Sequence, residues 1–210
     1  MDAPFPGCLT DVVQLDDHYR EPSKVVQRKK VAVLDAPTRA FVEGAPFVLI
    51  ATSDPDGRCD VSPRGGPPGF VRVLDDRRLA LPDLNGNNLL DSLRNVVSNP
   101  HVGLLFVLPG RDETLRIDGR AWVSVDDDLR ARFTELRRPV SVLCVEVEAA
   151  FIHCAKSFRR GNVWEPESWA GLVAPGALEL LACHLSLDEP LDPEAMERGY
   201  VAGLAADKPE

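Results

Sequence analysis

The chain has 210 residues, of which 44% are hydrophobic and 6% aromatic, and its formal net charge is −9. That length and apolar content allow one sizeable core, and the acidic balance disfavours an extended nucleic-acid interface, which needs a basic surface. The N-terminus lacks the basic start and apolar run of a signal peptide, and the apolar stretch from His101 to Gly110 is too short to cross a membrane. We therefore expect a soluble, cytoplasmic protein.

Residue spacing disfavours several kinds of chemical site. The five cysteines lie far apart without a CxxC pair, which argues against a zinc site or a disulfide framework and favours reduced thiols. The four histidines show no HxH or HExxH spacing. The chain also lacks a G-x-S-x-G elbow, a Walker A run and a G-x-G-x-x-G after a strand. We predict no metal site and no nucleophilic triad.

The N-terminal segment, residues 1–44, is predicted to be helical. Thr10 is expected to cap a first helix and Ser23 a second helix, whose sequence is KVVQRKKVAVL. Asp35 is expected to cap a third helix that ends at Gly44. Nothing in this segment points to chemistry.

A series of short strands is predicted from Pro46 onward. Tight turns separate the runs FVLIATSD, RCDVSPR, FVRVLDD and RLALPD, which indicates an antiparallel meander of four strands. The strands resume later with HVGLLFVLP, TLRIDGRAWVSV and, after a short helix DDLRARFTEL, with VSVLCVEVEAAFIHC. A central helix, LLDSLRNVVSN, interrupts them, and its spacing predicts an apolar stripe formed by Leu89, Leu90, Leu93, Val96 and Val97.

The number of strands indicates the fold class. Six or seven strands with one inserted helix define a β-rich protein, and a closed barrel would protect that many strand edges. We predict one domain overall, with its barrel core over residues 45–165. The helical segment 1–44 is expected to pack on the barrel, and residues 166–210 are expected to form a helical or irregular extension.

Two segments are candidate anion-binding sites. Ser62, Pro63 and Arg64 end a strand before a glycine-rich run, and an arginine there can hold a phosphate through two hydrogen bonds, although an ordinary surface charge explains it too. The segment Leu81-Pro82-Asp83 is followed by Asn85-Gly86-Asn87-Asn88 and then by the central helix. A helix N-terminus exposes unpaired N–H groups that bind anions, and plain capping by Asn88 is the alternative.

Polar residues recur on the later strands. Thr114 and Arg116 share one strand face. A polar face of this kind suits a flat ring whose carbonyls and nitrogens need hydrogen-bond donors. An ordinary exposed sheet face is the alternative interpretation. Lys156 and Arg160 follow the last strand, and their side chains can reach an anionic ligand. The alternative interpretation is that they are surface charges at the end of the strand. His153 and Cys154 are adjacent and would point to opposite sides, which argues against a shared metal or a Cys–His nucleophile pair.

These segments, taken in order, resemble the pyridoxamine-5′-phosphate-oxidase-like FMN-binding split-barrel family. The motifs SPRG, LPD-x-x-GNN, NP-x-x-GLLF, LRIDGRA and HCAK look closest to a bacterial subgroup of that family. The resemblance extends from roughly Pro46 to Trp164, and the order and spacing of the motifs are more specific than any one of them.

The resemblance implies a six- to seven-stranded antiparallel split β-barrel with flanking helices, and FMN bound at the interface of a homodimer. By the family's pattern, Ser62 to Arg64 fall on the strand that contacts FMN, and Leu81 to Asp83 run beside its isoalloxazine ring. Thr114 aligns with a glutamine that the oxidases present to the flavin. Asn87 and Asn88 replace a basic pair on the phosphate, a loss that Arg64, Arg116 or the stretch from Lys156 to Arg160 would have to offset.

The function that the resemblance implies is an FMN-dependent oxidoreductase acting on a small molecule. True pyridoxamine-phosphate oxidase activity is not expected, because the oxidases' C-terminal substrate-binding segment has no counterpart. The flavin carries the redox chemistry, so we name no catalytic side chain. A deazaflavin enzyme, and a flavin- or haem-binding carrier or sensor without turnover, are the alternatives.

Overall fold

The computed structural model describes residues 5–84, 86–186 and 191–209, so Asn85 of the predicted anion-binding loop lies outside the described residues. Within these ranges the chain forms one seven-stranded antiparallel sheet with helices around it. The strands are β1 (Phe47–Ser53), β2 (Cys59–Gly65), β3 (Arg72–Val73), β4 (Arg78–Asp83), β5 (His101–Val107), β6 (Thr114–Ser124) and β7 (Ser141–His153). The helices are α1 (Val13–Asp16), α2 (Lys24–Arg28), α3 (Ala36–Gly44), α4 (Asp91–Ser98), α5 (Asp127–Arg130), α6 (Lys156–Arg160), α7 (Ala177–Leu185) and α8 (Pro193–Ala206), with a 3₁₀ turn at Pro166–Trp169.

The sheet has the order β2-β1-β5-β6-β7-β4-β3 and is antiparallel throughout. The predicted hairpins β1–β2 and β3–β4 are confirmed. The predicted four-strand meander is wrong, because β2 and β3 lie at opposite edges of the sheet. Among the described residues these two edges do not pair with each other, so the sheet is an open, split barrel and not a closed one.

Two prolines lie in stretches of strand that are open on one side. Pro63 sits in β2 opposite Leu49 of β1, and Pro82 sits in β4 opposite Val142 of β7. β2 is an edge strand, and β3 covers only Leu79 and Ala80 of β4, so Pro82 lies in a stretch of β4 that pairs with β7 alone. A proline has no N–H to donate to a further strand, so both proline-containing stretches are suited to stay unpaired on their open side.

The core fills the concave side of the sheet beneath α3 and α4. Phe106, Ile50 and Ile117 are fully buried there, and α3 adds Val42. Asp35 caps α3 as predicted, because its carboxylate accepts a hydrogen bond from the Thr38 amide at 2.9 Å. These contacts hold the helices on the same side of the sheet as the buried residues.

The central helix α4 is shorter than predicted. It begins at Asp91, because Leu90 takes a left-handed conformation with φ 61° that breaks the helix. The apolar stripe is correspondingly narrower: Val96 is buried and Leu93 packs on the core, but Val97 is 77% exposed. Leu89 and Leu90 precede the helix and are also exposed.

Three other helix boundaries differ from the prediction. Helix α1 begins at Val13 without a side-chain cap, so Thr10 is not its N-cap. Ser23 does cap α2, but the helix ends at Arg28. It stops early because Val31 pairs with Ala150 of β7 through two backbone hydrogen bonds of 3.1 and 2.7 Å, a tertiary contact that helix periodicity cannot reveal. The segment DDLRARFTEL likewise contributes only the four-residue α5.

The end of the C-terminal helix α8 contacts the segment before β7. The Arg137 amide donates a hydrogen bond to the Asp207 carbonyl at 2.8 Å, which ties the end of α8 to the segment before β7. Within the described ranges, the helices lack the length and apolar character needed to span a membrane.

Gly119 gives a test of the sheet's geometry. It is buried at a bulge between Asp118 and Gly119, and a Cβ there would overlap the backbone carbonyl of Glu146 on β7. We expect Gly119→Ala to lower the free energy of unfolding by about 1–3 kcal/mol, because the backbone must shift to make room. The measurement is chemical denaturation of both proteins.

Gly103→Ala is the matched control, since a Cβ at Gly103 of β5 would make only ordinary contacts of 3.7 and 3.8 Å. An equal loss of stability in the two variants would contradict the bulge geometry.

Candidate functional site

A cavity of about 620 Å³ lies in the split of the barrel, between the edge strand β2 and the end of β4. The loop before α4 and the first turn of that helix complete its wall. This volume falls in the range of small-molecule and cofactor sites. The predicted site residues that line it are Ser62, Pro63, Arg64, Pro82, Asp83, Asn87 and Asn88.

The cavity borders two strand edges that have free backbone groups. In the described part of the chain β2 pairs only with β1, and β3 reaches only Leu79 and Ala80 of β4. The stretch from Leu81 to Asp83 therefore pairs with β7 alone. Unpaired backbone N–H and C=O groups at such edges can bind the polar rim of a planar ring.

Arg64 is held at the cavity wall by its own strand. Its guanidinium donates hydrogen bonds to the Ser62 hydroxyl at 2.6 Å and to the Pro63 carbonyl at 2.8 Å. Because side chains alternate along a strand, Asp60, Ser62 and Arg64 share the face that lines the cavity. This arrangement fixes one cation where the sequence predicted a phosphate-binding group.

Asp83 faces Arg64 across the cavity. Burial raises the pKa of its carboxyl group, and this effect outweighs the opposing influences of the Arg64 charge and of the hydrogen bond with Ser141. The ionised form of Asp83 is therefore destabilised, because the favourable contacts with Arg64 and Ser141 do not replace the hydration that the carboxylate loses on burial.

The loop before α4 does not cap the helix. Asn88 and Leu90 both have positive φ, at 57° and 61°, and the Asn87 side chain accepts a hydrogen bond from the Leu89 amide at 3.0 Å. Asn88 is thus not the N-cap, and the residue in that place, Leu90, offers no side-chain acceptor. The first-turn N–H groups of α4 remain available to an anion.

The charge that lines the cavity is mainly negative. Among the described lining residues, Arg64 is the one cation, against the four carboxylates of Asp60, Asp83, Asp91 and Asp207. Asp60 is partly satisfied, because the Ser92 hydroxyl donates a hydrogen bond to it at 2.5 Å. A doubly charged phosphate needs more positive charge than these lining residues provide.

The remaining predicted residues lie elsewhere. Leu81 is buried in the core with only 2% exposure. Thr114, buried at the start of β6, pairs with His153 at the end of β7. Arg116 lies three strands from Pro63 along one row of the sheet, which corresponds to about 14 Å. These residues do not line the cavity of their own chain, nor do Lys156 and Arg160.

A cationic cluster surrounds Phe151 next to Thr114. The charged groups of Lys29, Lys30 and Arg116 lie 5.1, 5.2 and 5.6 Å from the centre of the Phe151 ring. His153 stacks on the same ring at 5.3 Å. Burial lowers the pKa of His153, and the charges of Lys29 and Arg116 lower it further, so the imidazole favours its neutral form.

Helix α6 is fastened beside this cluster. Arg159 pairs with Asp112 at 2.8 Å, and the Trp164 indole donates a hydrogen bond to the Arg111 carbonyl at 2.8 Å. Both contacts reach the turn between β5 and β6. Lys156 and Arg160 of this helix are exposed, so their charges are available to a ligand or a second chain.

Sequence reasoning missed several of these residues. Asp60 belongs to the same alternating pattern as Ser62 and Arg64, a signal that was readable in the sequence. The RKK run that ends with Lys29 and Lys30 was also visible as a basic cluster, but its position beside β7 depends on the Val31–Ala150 pairing. Asp207 reaches the cavity only through the tertiary packing of α8.

The sequence of residues 34–154, more than half of the chain, matches the model of the pyridoxamine 5′-phosphate oxidase family. The chain therefore belongs to this family. Comparison with curated proteins gives no significant match.

Three solved structures are among those similar to part of this chain. A candidate pyridoxamine 5′-phosphate oxidase from Lactobacillus delbrueckii is 23% identical with a TM-score of 0.47, over 59% of this chain and 98% of that one. General stress protein 26 from Bacillus anthracis is 15% identical with a TM-score of 0.41, over 53% and 87%. An FMN-binding protein from Syntrophomonas wolfei is 8% identical with a TM-score of 0.43, over 55% and 83%.

The raised pKa of Asp83 predicts a pH-dependent stability change. A group whose pKa is higher in the folded than in the unfolded protein destabilises the fold when it is ionised, and this effect disappears as the pH falls below the ordinary Asp range. We expect Asp83→Asn to be more stable than the parent protein at neutral pH. The gain should shrink on acidification, as measured by the free energy of unfolding at several pH values.

The exposed Glu148→Gln is the control, for which no such pH-dependent gain is expected. A loss of stability in Asp83→Asn that stays constant with pH would contradict the desolvation argument.

Proposed function

We propose that this protein is an FMN-dependent oxidoreductase that acts on a small molecule, with the flavin bound in the cavity between β2 and β4. One observation carries the proposal: in a member of this family, one cavity between two open strand edges is lined by Arg64 and by the predicted residues of β2, β4 and the loop before α4. Family membership alone would leave the location of the site open.

The residues present fit the ring of the cofactor. The free edges of β2 and β4 offer backbone donors and acceptors for the carbonyls and ring nitrogens of an isoalloxazine, and the cavity volume of about 620 Å³ is sufficient for a cofactor of this size. Arg64 and the uncapped start of α4 are the groups of this chain that would hold the phosphate. Asn87 and Asn88 supply neutral polar contacts at the same end.

The phosphate also needs cations from outside the cavity. Four lining carboxylates oppose it, so Arg64 alone does not compensate the charge. We propose that the protein is a homodimer in which Arg116, Lys156 and Arg160 of each chain complete the site of the other. The exposed charges of Lys156 and Arg160 on the fastened helix α6 support this arrangement, as does the place of Thr114 beside the cationic cluster.

Bound flavin would supply the hydride chemistry, and the protein's own groups would position it. Arg64, oriented by the Ser62 hydroxyl, holds the anionic part of the cofactor. No side-chain acid or base is required for hydride transfer. We propose a cytoplasmic location for this activity, which agrees with the five unpaired cysteines.

The first test is flavin uptake by the purified protein. We expect a yellow protein, or a colourless one that becomes yellow on titration with micromolar FMN, and reduction of the bound flavin by NAD(P)H. A protein that takes up no FMN overturns the proposal, and tighter binding of a deazaflavin or of haem redirects it to those cofactors. Bound flavin that no nicotinamide donor reduces, and no common acceptor reoxidises, indicates a carrier or sensor.

Arg64→Met tests the phosphate contact. Loss of a charged, hydrogen-bonded partner should weaken FMN binding by about tenfold or more, whereas riboflavin, which lacks the phosphate, should bind nearly as before. Isothermal titration with both flavins measures the difference. Arg94→Met is the matched control, because Arg94 is an exposed residue of α4 outside the cavity lining.

If Arg64→Met still binds FMN more tightly than riboflavin, Arg64 does not hold the phosphate, and the cations of the second chain take that role. Lys156→Met/Arg160→Met should then bind FMN no more tightly than riboflavin.

The dimeric site predicts complementation between two defective chains. Arg64→Met and Lys156→Met/Arg160→Met should each bind FMN weakly as homodimers. A mixed dimer regains one intact site, so an equimolar, randomly exchanged mixture should recover about a quarter of the full binding capacity. Flavin content after co-refolding is the measurement, and light scattering reports the oligomeric state. Absence of any gain on mixing would contradict a site shared between chains.

A further inference from the structure

A second cleft, of about 650 Å³, lies on the outer face of the sheet beside α5. It shares no lining residue with the cavity between β2 and β4, and its volume is also in the range of small-molecule sites. Its described lining residues are Leu74, Arg78, Trp122, Ser124, Asp126, Asp128, Leu129, Arg132, Cys144, Val145 and Glu146.

The strand register builds the apolar part of this cleft. Ala80, Cys144 and Trp122 are paired in one row across β4, β7 and β6, so their side chains share one face. Phe133 packs over Ala80 in a small separate core that excludes solvent from that end of the row. This core ends before Trp122, whose side chain stays 49% exposed as a wall of the cleft. Cys144, half-buried, forms the floor.

The charge around the cleft is negative. Arg78 pairs with Asp75 at 2.5 Å, and this contact is the main cause of its raised pKa, so the Asp75 carboxylate matches its positive charge. Burial raises the pKa of the Cys144 thiol, and the negative charge of Asp126 raises it further. The negative potential therefore reaches the floor of the cleft.

Two arginines oppose this negative charge: Arg132 at the rim, and Arg120, which lies opposite Glu146 in the register of β6 and β7. Both side chains are exposed, so water and salt screen their effect and they can turn away from an incoming cation. The carboxylates of Asp126, Asp128 and Glu146 still outnumber these two arginines. An indole face beside carboxylates attracts organic cations, because the ring quadrupole is negative above its plane and apolar groups pack on the same surface.

We propose that this outer cleft binds a small organic cation with an aromatic or other apolar body, which places its charged group against Trp122 and Glu146. The proposal does not rest on flavin binding. A ligand of this cleft needs a positive charge next to an apolar group, so amines and quaternary ammonium compounds are the proposed class of ligand.

The test compares three probes of similar size on the whole 210-residue chain. Benzyltrimethylammonium should bind measurably by isothermal titration, benzyl alcohol more weakly and benzoate least. Trp122→Ala should weaken the cation by about tenfold, because the cation–π contact and the apolar wall are both lost. Trp169→Ala is the matched control, since Trp169 is 50% exposed and lies outside the cleft lining.

The acidic contribution is tested separately. Glu146→Gln should weaken the cation about threefold or more and leave benzyl alcohol unchanged, since it removes a charge and keeps the shape of the side chain. Glu148→Gln is its control, because Glu148 is an exposed residue of the same strand two positions beyond the cleft. Equal effects of the two variants would overturn the role of Glu146.

Cys144 provides a readout that needs no variant. Saturating benzyltrimethylammonium should slow its alkylation by iodoacetamide, as followed by peptide mass spectrometry. The other cysteines are exposed and should react at unchanged rates: Cys8, Cys59, Cys154 and Cys183. The proposal is overturned if Cys144 is not protected, if benzoate binds as well as the cation, or if no binding is seen at millimolar probe.

Discussion

The rest of the structure depends on two strand edges that cannot pair with each other. Pro63 lies in the edge strand β2, and Pro82 lies in the end of β4 that β3 leaves uncovered. Each lacks the N–H that a further strand would need, so these two stretches stay unpaired on their open side. The gap between them is the cavity, and its walls carry backbone groups that remain free for a ligand. Arg64, one residue after Pro63, is held at this gap by its own strand. The same constraint thus leaves the barrel split and places the one lining cation of the described residues.

Charge is distributed unevenly between the cavity and the surface around Phe151. The cavity is lined by four carboxylates and Arg64, whereas Lys29, Lys30 and Arg116 surround Phe151, and of these Arg116 pairs with Asp118 at 2.7 Å. An acidic recess and a cationic surface on one chain are the charge pattern that the proposed homodimer would use. In that dimer the second chain would supply the positive charge that an anionic cofactor requires, in place of a basic pair at Asn87 and Asn88.

The strands and the residues on β2 were predictable because alternation and turn residues are local signals. The order of the strands in the sheet was not predictable from these local signals, because β2 and β3 are adjacent in sequence but lie at opposite edges of the sheet. Tertiary contacts likewise decided the end of α2, which stops where Val31 pairs with Ala150, and a left-handed Leu90 decided the start of α4. In the candidate site, strand alternation predicts the positions of Ser62 and Arg64. The position of Asp207 could not be predicted in this way, because only the packing of α8 brings that residue to the cavity.

Strand β4 connects the two ligand-sized spaces without merging them. Arg78 at its start lines the outer cleft and Asp83 at its end lines the cavity, a separation of about 16 Å along the strand. Between them Leu79 and Ala80 are fully buried, on opposite faces of the strand. Packing on both faces makes this stretch rigid, so a ligand in one space has no loose element through which to reshape the other. The two proposed sites differ in composition: the cavity would take positive charge for an anionic cofactor from a second chain, whereas every described residue that lines the outer cleft comes from one chain.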